Sequence, residues 1–242
     1  ANAIDLDAGA QLSLISNQNT ALGGLITGTG GLIKTGTGVL SLNNSNLFSG
    51  GLALNAGGLS VGANGALGTG ALNIGGNVSL DAGAAVTLAN AVNLGANTLT
   101  LPGSNNLTLT GVVGGTGGLI KNGASTLTLS GANTFLGGAT VNAGTLALGA
   151  GGSLAAGSAV DLAGAGATLD ISAAGASQTI GALNGVAGSQ VALGTQSLTF
   201  GGASNGSFAG VIDGSGGLVK TGTGVQTLSG ANTFGGGVAL NA

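Results

Sequence analysis

Full charge in this sequence rests on nine side chains, and they bound its chemistry at once. The cations are Lys34, Lys121 and Lys220; the acids are Asp5, Asp7, Asp81, Asp161, Asp170 and Asp213. Lys34 stands in GTGGLIKTGTG, Gly28 to Gly38, which holds the ingredients of a phosphate-binding loop: clustered glycines, one lysine and a threonine after it. That loop needs glycine directly before the lysine and a helix behind it, whose N-terminus holds the anion. Here Ile33 precedes Lys34, the following TGTGVLSL reads as turn and strand, and Lys121 is followed by Asn122. The motif fails as a nucleotide site, and no cofactor is expected.

The acids fare no better. Asp5 and Asp7 fall on one side of a short strand and could hold a cation weakly, but the dense GGxGxDxUx array of a calcium β-roll is missing. All six read as solvated turn or edge residues, so no metal site is expected. Histidine, cysteine, arginine and glutamate are absent, which leaves no base, nucleophile partner or oxyanion clamp. An aspartate pair could in principle cleave glycosides, yet no second feature supports it, and no Trp or Tyr is present to stack on a sugar. No catalytic residue is assigned, and a non-enzymatic protein is expected.

The lysines make sense only against one another. GTGGLIKTGTGVLSLNNSNLFSGGLALNA from Gly28, GTGGLIKNGASTLTLSGANTFLGGATVNA from Gly115 and GSGGLVKTGTGVQTLSGANTFGGGVALNA from Gly214 align without a gap. Every cation of the chain occupies the same place in its copy, as do Asn46, Asn133 and Asn232, and Phe48, Phe135 and Phe234. The copies are separated by 87 and 99 residues. Leu32 and Lys34 share strand parity, but a buried unpaired lysine is costly and no acid lies at a common interval from all three. The lysines are therefore expected to cap strand exits, their ammoniums snorkelling into solvent.

The elements that carry these residues are short. LSL, LAL, VTL, TLTL and SLTF place Leu, Val or Ile at alternate positions and then meet Gly, Asn, Ser or Asp, a strand signal bounded by turns. Glycine supplies 55 of 242 residues, and each would cost a helix about 1 kcal/mol, so little or no helix is expected. Only 4% of residues are charged and 2% aromatic, while 43% are hydrophobic, mostly Ala, Leu, Val and Ile. Positive mean hydropathy (+0.56) with a net charge of −3 argues against disorder. Aliphatics in thin layers suit a narrow lumen better than a thick sandwich core. The expected fold is all-β: a right-handed parallel β-helix, a β-solenoid, as one elongated rod spanning residues 1–242. With about 20 residues per coil it would have roughly twelve coils and a length on the order of 55 to 60 Å.

Composition also limits partners. No basic cluster exists to meet phosphates, so no nucleic acid is expected. No run of about 18 apolar residues occurs, so this segment is not expected to insert into a membrane. ANAIDLDAGA lacks the pattern of a signal peptide, and LDAGA recurs at Leu80; the chain reads as a piece of a longer protein that begins and ends inside repeat copies.

The phrases GSGGLVKTGTG, LSGANTF and LNA in Gly214 to Ala242, with NAGTLALG in Asn142 to Gly149, resemble the passenger-associated repeat of autotransporters, the type V secreted proteins of Gram-negative bacteria. The match covers about a third of the chain directly. It implies a β-helical passenger displayed on the outer cell surface or released outside the cell. No translocator barrel or effector domain is legible here. The leading expectation is a structural stalk or fibre segment. The alternative is an adhesion or self-association module, pairing end to end or side by side, or meeting a host or neighbouring-cell surface. A remoter one is an ice-binding solenoid, since TLTLS and LTLTG hint at threonine ranks.

Overall fold

Each circuit of the chain lays down up to three short strands, one on each side of a prism, and each sheet grows by parallel pairing of a strand with its counterpart one circuit on. The computed structural model describes residues 2–241. It is a β-solenoid of about twelve turns, with no helix among the described residues. The first side carries a six-stranded sheet from Gln11–Ile15 to Val113–Gly114, then a four-stranded sheet from Gln178–Thr179 to Val238–Asn241. An eleven-stranded sheet from Thr20–Leu22 to Gln226–Leu228 makes the second side. On the third, the pair Ile4–Leu6 and Ile26–Gly28 is followed further along by seven strands from Val86–Leu88 to Val211–Asp213.

Alternation dictates which residues enter the lumen. In Leu52–Leu54 and Leu107–Leu109 the outer pair is buried and the middle residue faces out. Because all pairings are in register, like stacks on like: Leu32, Leu52, Leu72, Val92 and Val113 form one column. Leu107, Leu127, Leu146, Leu169, Val191 and Ile212 form another on the third side. Each buried leucine is worth about 1.5–3 kcal/mol relative to exposure, so stability accumulates along the rod rather than at one centre.

Corners demand glycine where the backbone turns left-handed. Gly36 has φ 76°, and a Cβ there would collide with the carbonyl of Ser16 one circuit earlier. Asparagine serves differently. Asn19, Asn77, Asn106 and Asn205 accept through Oδ1 from the backbone N–H of Val39, Thr98, Thr126 and Val225 on the next circuit, at 2.8–2.9 Å. They continue the hydrogen-bond ladder around bends where backbone alone would leave donors open.

Candidate functional site: a lysine, asparagine and phenylalanine brace

The repeated residues come together inside the rod. Lys34 is the fourth residue of the strand Gly31–Thr35, in register between Leu14 and Leu54, and its parity turns it inward. It is 1% exposed. Its Nζ donates to the carbonyls of Thr35 and Gly36, both at 2.7 Å, with Ser16 O further off at 3.5 Å. Lys121 lies between Leu101 and Val141, also buried, and donates to Gly123 O at 2.6 Å and Ala143 O at 3.2 Å. Lys220, between Phe200 and Leu240 and only partly buried, donates to Thr221 O at 2.7 Å and Gly222 O at 2.8 Å.

The expectation that these ammoniums reach solvent is therefore wrong for Lys34 and Lys121, whereas Lys220 keeps part of its surface exposed. The cost of burial is met by backbone carbonyls that the corner turns into the lumen, so no acid is needed. Burial still disfavours the charged form, and it lowers the pKa of Lys34 and Lys121 below the usual 10.5. An ammonium committed to its own turn is not free to meet a phosphate.

Asparagine and phenylalanine complete the brace on the side where strand pairing lapses. Asn46 accepts from Ile26 N–H at 3.0 Å and donates to Ala66 O at 2.8 Å, tying three successive circuits. Asn133 accepts from Val113 N–H at 2.9 Å and donates to Gly131 O and Ser153 O at 2.7 and 2.9 Å. Asn232, half-buried, accepts from Ile212 N–H at 2.9 Å. Two residues beyond each asparagine the chain drives a ring inward: Phe48 and Phe135 are fully buried, and Phe234 packs partly against the core. Repetition flagged these asparagines in the sequence, but their bridging role depends on neighbours 20 residues away in either direction.

The unequal spacing of the copies also has a geometric origin. Lys34 lies on the first side, Lys121 on the second, and Lys220 on the first again. The 87 residues between the first two span four and a third turns, and the 99 between the next two span four and two thirds. The brace lysine thus serves on two different sides of the prism.

The aspartates stay apart and face outward. Asp5 accepts from Thr27 Oγ1 at 2.9 Å, while Asp7 falls beyond the strand Ile4–Leu6, so the two do not share a strand as expected. Asp81 accepts from Ser104 through both N–H (3.0 Å) and Oγ (2.6 Å), and Asp213 from Gln190 Nε2 at 2.6 Å. Asp170 takes the N–H of Ser172 at 2.9 Å. Asp161 stands on the outer surface between Thr140 and Asn184. Asp170 and Asp213 share an outer column with Ala192 between them, about 9.6 Å apart at the usual strand spacing. Among the described residues, no three of His, Cys, Asp or Glu gather into a possible metal centre.

Outer threonines form two offset columns on the third side, Thr87–Thr108–Thr128 and Thr126–Thr145–Thr168. Both columns meet in one rank only, Thr126 with Thr128. The ranks of Thr145 and Thr168 continue with Ala147 and Asp170.

Comparison with known proteins agrees with this architecture. The family described as passenger-associated-transport-repeat matches residues 32–61, 119–148 and 218–242, and each match contains one full lysine, asparagine and phenylalanine set. The chain is also similar to the adhesin BmaC autotransporter of Brucella suis biovar 1 (strain 1330), with 36% identity over 143 residues. That alignment takes in 57% of this chain and 4% of the relative, so the chain corresponds to a small part of that protein. No solved structure matches it significantly. Three stretches of this chain thus carry the passenger-associated-transport-repeat, and in each of them the brace binds neighbouring circuits of one β-solenoid.

Proposed function

We propose that the chain is a non-catalytic stalk segment of a Gram-negative surface or secreted autotransporter, holding other parts of its protein away from the cell. The observation that carries this reading is the braced, solid lumen. Aliphatic columns fill the rod along its length, and the repeated polar residues are spent on binding circuits together rather than on an outward site. The outer surface supports it too: it offers hydroxyls, amides and scattered carboxylates that are bonded to local groups or stand alone. Among the described residues no helix is long and apolar enough to cross a membrane.

Adhesion is the second reading, favoured by the likeness to a protein named as an adhesin. Binding of the labelled chain to host cells and to bacteria, against an unrelated β-solenoid of similar size, separates the two. A stalk gives signal equal to the control. Saturable binding above it overturns the stalk reading in favour of adhesion.

A further inference from the structure

We infer that the rod is divided by a weak seam at residues 149–181, where it opens locally before the stacks on either side. Four independent features converge there. The first-side strand ladder lapses between Val113–Gly114 and Gln178–Thr179, where an isolated pairing of Ala132 with Ser153, the Asn133 side chain and single backbone bonds take its place. Circuits lengthen as well. Leu107 to Leu127 and Leu127 to Leu146 take 20 and 19 residues, whereas Leu146 to Leu169 and Val160 to Leu183 take 23 each. The added chain is poor in side chains that could pack: seven of the ten residues from Gly149 to Ser158 are Gly or Ala.

The fourth feature is energetic. Ser158 Oγ and Gln178 Oε1 are the two buried side-chain polar atoms without a partner among the described residues, and both lie in this stretch. Ser158 is fully buried and Gln178 3% exposed, so neither is satisfied by bulk water in the closed form. Opening the seam hydrates both. In a solenoid, stability is a sum of circuit and neighbour terms, so a deficit in one interface localises opening instead of spreading it. The seam thus acts as a yielding joint between the circuits before Leu148 and those after Leu183, held across it by the second- and third-side ladders through Val160–Leu162 and Thr168–Asp170.

Native-state hydrogen exchange on the whole chain, resolved by peptide, tests this. Amides in 149–181 are expected to exchange at least about tenfold faster than those in the interior circuits Val86–Leu129. The double variant Ser158→Ala, Gln178→Leu removes both orphaned atoms and is expected to slow exchange several-fold in 149–181 while leaving Val86–Leu129 unchanged. Equal protection of the two regions in the unaltered chain overturns the seam. A variant that changes both regions alike overturns the role of the two orphaned atoms.

Discussion

Lys34 donates to the carbonyl of Gly36 from inside the lumen, 2.7 Å away and two residues on in the chain. A charged side chain here closes its own turn. The contact binds a strand end to the corner that follows, and Lys220 repeats it with Gly222 at 2.8 Å.

Replacing Lys34 with methionine keeps the length of the side chain but strips the donor from Thr35 O and Gly36 O. Thr35 O keeps the N–H of Ser16 at 3.3 Å, so it is Gly36 O that is left open, at about 1–3 kcal/mol, offset in part by the desolvation that methionine avoids. A net loss of about 1–2 kcal/mol is expected for Lys34→Met. It is read as a lowered urea midpoint.

Alkali should strengthen the rod. Lys34 and Lys121 have folded pKa values below 10.5, so between those values and 10.5 the unfolded chain binds more protons than the folded one. Stability therefore rises with pH across that window and levels off above 10.5. As pH falls through the folded values the burial penalty is fully present again. Melting curves from neutral pH to 10.5 measure the slope, and Lys34→Met combined with Lys121→Met should flatten it.

Asn46→Ala removes the acceptor for Ile26 N–H and the donor for Ala66 O, both in the buried part of the third side. A loss of about 2–4 kcal/mol is expected from the two orphaned groups together. Asn232→Ala, half-buried with one bond, should cost less than half as much. Paired thermal melts give the ratio.

Trypsin has three cleavage residues in this chain, and Lys34 and Lys121 are buried. Cleavage at those two requires opening of the rod, so the folded chain should survive digestion there and yield to it in urea. Amine acylation followed by mass spectrometry should label Lys220, partly exposed, before the other two.

Much of this was legible in the sequence, because the fold depends on alternation and repetition, which a sequence carries openly. LTL and VTL gave the strands, and circuits of about 20 residues gave the number of turns. The parity of Leu32 and Lys34 even pointed the lysine inward. What parity could not supply was the partner, since the carbonyls of Thr35 and Gly36 belong to the backbone and have no letter of their own. The constant glycine-rich turn after Lys34 and Lys220 was the one available signal. Asn133 shows the same limit: its place in the repeat was visible, but its bonds to Val113 and Ser153 exist only once circuits are stacked. Ser158 and Gln178 lie outside the repeat and gave no sign of being buried.

The placement of Lys34 and Lys121 on adjacent sides bears on how such a gene can change in length. Recombination between the first two repeat copies would excise 87 residues and rejoin one brace to another in identical phase, so the lumen would close without a gap. Yet that length is not a whole number of turns. Every outer residue downstream would reappear a third of a revolution around the axis. A contraction that leaves the interior untouched would thus show the outside world a different face.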